Sequence, residues 1–251
     1  MKEALLLVKS INRGDRQLIL TTAFAALMLS SKAYFGSASI FEPWLNSESG
    51  SLQLQIADYF YTGVFASLRQ LLFWAGCCVL FYLLIPMLFR RFVWPDSPSL
   101  FQLNIPRSHW KIYGYMLLFM VLPLIGASFL KSFQNTYPFV FIPQDSDFTK
   151  TLLIWEIGYL FQFVAVEYFF RGFLLFSFEK HLGNKAVLIP LIPYVMIHFG
   201  KPFPETIGAI LAGIVLGTMA LRSRSIIPGI CVHFSIAISM DLLSLWQQGF
   251  F

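Results

Sequence analysis

The sequence predicts an all-α, polytopic membrane bundle of about seven transmembrane helices, and three observations carry that expectation. Apolar residues make up 57% of the chain and aromatic ones 18%, while only 12% are charged, about half the ~25% of a soluble domain. The apolar residues gather in runs of about 20, long enough to cross a ~30 Å hydrocarbon core as a helix. The net charge of +5 is not gathered into a nucleic-acid surface, because Lys and Arg stand mostly in short connections flanking the apolar runs. The lipid bilayer is therefore an expected partner and nucleic acid is not. A single integral membrane domain, 1–251, is expected, with no repeat, low-complexity tract or second domain. Cys77, Cys78 and Cys231 lie inside apolar runs and read as small packing residues without a disulfide framework.

Residues 1–16 carry Lys2, Lys9, Arg13 and Arg16 around a short apolar core, too short to span and suited to a cytoplasmic interfacial helix. The first span is 17–35. Its Ser31-Lys32-Ala33 loosely offers a signal-cleavage site, but the long basic lead and the polytopic remainder argue for a retained span. The stretch 36–56 reads as an outer loop, its only charges being Glu42 and Glu48. The second span, 68–88, ends at Arg90-Arg91, and Trp94-Pro95-Asp96-Ser97-Pro98 breaks any helix there. The third span is 112–130, followed by an acidic outer loop over 134–147. A fourth runs from about 150 to 180 and a fifth from 185 to 198, joined by a turn at Leu182-Gly183-Asn184 and kinked by Pro190 and Pro193. The sixth, 205–221, carries Ala209, Gly213 and Gly217 at four-residue intervals, a stripe on which another helix packs closely. The seventh is 226–246. The distribution of basic residues puts the N-terminus in the cytoplasm and, with seven spans, the C-terminus outside.

Chemistry concentrates in Val164-Ala165-Val166-Glu167-Tyr168-Phe169-Phe170-Arg171-Gly172. Each ionisable side chain at membrane depth costs about 2.5–3.5 kcal/mol, so such a pair marks a functional site by default. Four residues apart on a helix, Glu167 and Arg171 share a face and can pair, which favours the ionised carboxylate; a purely structural salt bridge is the plainer alternative. Other ionisable groups stand in or at the edge of later apolar segments: His198, Glu205, His233 and Asp241. Glu167 and His198 each lie about fifteen residues from the Gly183 turn, so at 1.5 Å per residue both stand about 22 Å along antiparallel helices and can meet. His233 lies closer to the cytoplasmic turn, a mismatch that a helix starting deep in the membrane at Pro228-Gly229 removes. Glu156, about three turns before Glu167, reads as interfacial. Glu205 suits a first helical turn, where the dipole favours a carboxylate.

These residues resemble the CPBP family, the intramembrane glutamic endopeptidases named after CAAX prenyl proteases and bacteriocin-processing proteins. Its pattern is Glu-Glu-x-x-x-Arg, Phe-x-x-x-His and His-x-x-x-Asn, met here by Glu167 with Arg171, Tyr194 with His198, and His233. Val166 stands for the first Glu and Ala237 for the Asn, so the likeness, over about 150–251, is to a divergent branch. The resemblance implies a peptide-bond hydrolase without a cofactor in a bacterial inner membrane. Its substrate would be a membrane-anchored peptide or protein cut near a terminus. Glu167, held by Arg171, would activate water, His198 and His233 would orient it and stabilise the oxyanion, and Tyr194, Glu205 and Asp241 would support them. Two alternatives stand beside this. His198, His233 and a carboxylate could form a zinc site, although Arg171 would repel the cation. A non-catalytic immunity or scaffold protein, or a proton-coupled carrier, would use the same groups without hydrolysis.

Overall fold

The computed structural model describes residues 12–45, 51–95, 101, 107–141 and 148–250; residues 1–11 of the expected N-terminal interfacial segment, Pro143, Asp145 and Asp147 lie outside them, while Arg13 and Arg16 of that segment begin the first long helix. Helix α1 (Arg13–Phe35) begins at Asn12, whose Oδ1 accepts the Asp15 N–H at 2.9 Å, and closes where Gly36 N–H donates to the Lys32 carbonyl. These two caps satisfy backbone groups that the helix ends leave without partners. A short 3-10 helix (Ala38–Trp44) and α2 (Ser51–Tyr61) occupy much of the stretch expected as loop. Helix α3 (Ala66–Val93) contains π-helical turns at Val79–Leu84, just ahead of Pro86. Proline has no N–H for the carbonyl four residues earlier, and widened turns absorb that loss without ending the helix. Helix α4 is Arg107–Ser128.

Helix α5 starts at Phe148–Glu167, passes through π turns at Tyr168–Leu175 and ends with Phe176–Leu182. The chain reverses at Gly183, whose φ of 54° a residue with a side chain adopts only under strain. It re-enters as a 3-10 turn (Gly183–Val187) and α6 (Leu188–Met196). Helices α7 (Phe203–Ser223) and α8 (Ile227–Gln247) complete the described chain.

Among the described residues there are six helices long and apolar enough to cross a membrane, where the sequence reading counted seven. The difference lies in the expected fifth span, 185–198. Its helical part is the nine-residue α6, about 14 Å at 1.5 Å per residue against a ~30 Å core. It folds back beside the lower half of α5, and by length and composition the two count together as one apolar stretch, Phe148–Met196.

Helix α5 is the centre of the bundle. Over eighteen apolar residues of the stretch containing it, 56% are buried, against 17–22% over the same length of α1, α3 and α4, so those three turn most of their apolar surface outward. On α4 that surface includes Leu118, Phe119 and Leu122. A soluble protein would not leave such a belt in water; this is an integral membrane protein. Helices α3 and α5 run in the same direction, with Leu72 against Gly158 near one end and Tyr82 stacked on Phe169 at 4.8 Å further along. The small-residue stripe of α7 seats the returning segment: a Cβ on Gly213 would stand 2.6 Å from Leu191 Cδ1, and one on Gly217 3.0 Å from Val187 Cγ1. Glycine there lets α6 approach close enough to reach the core. The three cysteines are free thiols.

Candidate active site

At the middle of α5 the four-residue spacing produces the pair it predicts. Arg171 Nη1–H donates to Glu167 Oε1 at 2.9 Å, with 2% and 1% of the two side chains exposed. The same oxygen accepts from His233 Nδ1 of α8 at 2.8 Å. A carboxylate only accepts, so Nδ1 carries a hydrogen, and in the neutral ring His233 Nε2 presents its lone pair. That lone pair takes the Tyr194 O–H of α6 at 2.8 Å. Tyr194 also lays its ring against the Arg171 guanidinium, 4.0 Å from the ring centroid, a favourable cation–π arrangement away from water. Four side chains from three helices thus form one connected network.

His198 joins at one remove. Its Nδ1 lies 2.8 Å from the Tyr194 carbonyl, which fixes the hydrogen on Nδ1 and leaves the Nε2 lone pair free. It does not touch Glu167. The start of α8 removes the mismatch in depth: Pro228 stands in its first turn, and Gly229 lies against the Glu167 carboxylate. His233, one turn further on, is therefore level with that carboxylate.

Beside the network is a cavity of about 130 Å³, whose walls include Val166, Tyr194, His198 and His233, together with Lys32 of α1 and Lys201 after α6. Val166, in place of the family's first Glu, faces this space; Glu167 lies behind His233 and is not in the wall. A larger apolar groove of about 570 Å³ runs between α4 and α8, lined by residues such as Leu124, Leu243 and Trp246, with no titratable side chain. It faces the outside of the bundle and carries no chemistry.

The remaining expected site residues are drawn elsewhere. Glu205 pairs with Lys201 at 2.7 Å and accepts the Tyr137 O–H at 2.5 Å. Burial, then Tyr159 and Glu205, push the Tyr137 phenol up, so it remains a donor. Asp241, fully buried, accepts from Trp155 Nε1–H at 2.9 Å and lies against Glu156. Glu156 is buried within the bundle. Tyr194 is drawn into the network; Glu205 and Asp241 are not. Among the described residues, no group of three or more His, Cys, Asp or Glu side chains is placed to hold a metal ion. Lys32 and Gly229 were not anticipated as site residues, since their places depend on helices packing from distant parts of the chain.

Fold and site together define a polytopic membrane protein built around a buried Glu–Arg–His–Tyr network. Residues 148–239 match the family model described as type II CAAX prenyl endopeptidase Rce1-like, of the CPBP family to which the motifs pointed. The likeness indicates a membrane protease, a hydrolase. It takes in α5, α6, α7 and α8 as far as Ser239, and so the whole network; α1 and α3, which close the cavity, lie outside it. No curated protein and no solved structure matches the chain.

Proposed function

We propose that the protein is an intramembrane endopeptidase that cuts membrane-anchored peptides or proteins near a terminus, with Glu167 and His233 acting as one acid–base unit. What supports the reading is the hydrogen bond of 2.8 Å from His233 Nδ1 to a buried carboxylate that Arg171 holds ionised, with His233 itself in the cavity wall. A carboxylate behind a histidine fixes its tautomer and stabilises the imidazolium that forms when the other nitrogen takes a proton.

In this mechanism a substrate carbonyl entering the cavity draws the Tyr194 O–H away from His233 Nε2. The freed lone pair takes a proton from a water that His198 Nε2 orients, and the water oxygen bonds to the carbonyl carbon. Tyr194 donates to the resulting oxyanion, where a fixed donor in a dry site counts most. The C–N bond then breaks, and the His233 imidazolium returns its proton to the leaving amine. Glu167 keeps its charge throughout and exchanges no proton with water.

A second reading rests on Val166. An apolar side chain in the wall, where the motif has a Glu, suits a scaffold that binds a membrane peptide without cutting it. The test is a cleavage assay on lipid-anchored reporter peptides, wild type against Glu167→Gln. Cleavage lost in the variant supports the peptidase. Binding without cleavage in both supports the scaffold.

A further inference from the structure

Lys32 stands in the last turn of α1, where a lysine usually reaches an interface and complements the helix dipole. Here it does something different. Its ammonium lies over the Trp74 ring, 4.8 Å from the centroid, and the side chain lines the same cavity as Val166, Tyr194, His198 and His233. Trp74 and Cys78, which share that cavity wall, lie one to two turns before Tyr82, and Tyr82 stacks on Phe169, two residues past Glu167. Glu167 itself lies two residues before Phe169 on the parallel helix, so at 1.5 Å per residue Lys32 is offset from the Glu167 level by about 3–9 Å along the bundle.

A lysine at that depth needs a counter-charge. Among the described residues no carboxylate forms an ion pair with Lys32; the acidic side chains that do form them serve Arg171, Lys201, Arg224 and His233. Lys201, the other lysine of the wall, is neutralised by Glu205 at 2.7 Å. Among the described residues, the cavity thus holds one cation without an anion, contributed by a helix outside the family-matched segment.

We propose that Lys32 receives a carboxylate of the bound peptide, its free C-terminus or an acidic side chain, and so sets how far from that group the chain is cut. The proposal rests on the peptidase reading of the neighbouring network. An offset of about 3–9 Å corresponds to roughly one to three residues of extended backbone at ~3.3 Å each. A carboxylate on Lys32 therefore leaves the scissile bond of a short C-terminal segment beside His233. Lys32 is a positioning residue in this scheme, touching the substrate end and not the reacting bond.

Three peptides test it, each with a prenylated cysteine followed by three residues: a free C-terminal acid, its C-terminal amide, and an amide with Asp as the last residue. Wild type, Lys32→Arg and Lys32→Met are measured in detergent for cleavage, and on a Glu167→Gln background for binding, which needs no turnover. The expected result is binding of the acid tighter than the amide by about tenfold or more, as a charge-assisted contact provides. The preference should persist in Lys32→Arg and vanish in Lys32→Met through KM, with kcat nearly unchanged. Recovery by the Asp-ended amide assigns an acidic side chain as the source; no recovery assigns the C-terminus. Equal binding of acid and amide by wild type, a preference that survives in Lys32→Met, or no binding of any peptide overturns the proposal. Acid-selective binding without cleavage leaves Lys32 standing and removes the peptidase reading, whereas cleavage indifferent to the carboxylate does the reverse.

Discussion

Gly229, in the first turn of α8, packs directly on Glu167: a Cβ at this position would stand 2.7 Å from Oε2 and 3.3 Å from the carboxylate carbon. The carboxylate cannot retreat, because Oε1 is already held by Arg171 and His233. Gly229→Ala should therefore displace the carboxylate, costing about 1–3 kcal/mol as overpacking does and most of the turnover. Gly208→Ala on α7, where a Cβ meets nothing within 4 Å, should lose neither. Parallel thermal melts and cleavage rates check the contrast.

Arg171→Ala leaves Glu167 buried without its cation. Breaking a buried pair by removing one partner costs about 3–5 kcal/mol, so the variant should unfold in detergent well below wild type. Adding Glu167→Gln should return much of that stability without returning activity. A single variant as stable as wild type would show that the pair does not carry the core.

Val166 faces the cavity while Glu167 stands behind His233. If Glu167 and His233 form a sufficient acid–base unit, Val166→Glu is unnecessary and the wild-type chain turns over reporter peptides unaided. Cleavage that appears only in Val166→Glu would transfer the base role to the wall position and overturn the assignment.

The two cavity histidines should behave as one device. His198→Ala and His233→Ala should each remove most of the turnover, and the double variant should be little worse than either, because groups acting on one water are strongly non-additive. Multiplying losses, measured on single and double variants under the same conditions, would separate the two histidines into independent roles.

Local periodicity made part of this site legible. The four-residue step from Glu167 to Arg171 is a helical contact, and it forms as spacing demands. The equal depths of Glu167 and His198 anticipated that α5 and α6 pack together, but it is Tyr194 and His233 that join Glu167, and the meeting with α8 depends on how deep that helix starts. Tyr194 illustrates the limit: its position was marked, but its hydroxyl on His233 and its ring on Arg171 depend on how α6 rotates in its seat on Gly213 and Gly217. Glu205 and Asp241 lie near the same segments, yet Lys201, Tyr137 and Trp155 draw them into other contacts, and no one-dimensional spacing records such competition. The count of spans missed for a related reason: 185–198 is apolar enough for a crossing, but its α-helical part is only nine residues long, preceded by a 3-10 turn.

The size of the cavity sets the last consequence. About 130 Å³ holds a handful of waters at ~30 Å³ each, and pockets that enclose small ligands run to about 300–1,000 Å³. A peptide of several residues needs more room than this space offers. If neighbouring helices part toward the lipid to admit one, α1, mostly unburied and bearing Lys32 on the cavity wall, is the wall helix with the least packing to lose. Access to the cavity would then respond to the thickness and lateral pressure of the surrounding bilayer, the lipid acting as a control on the door.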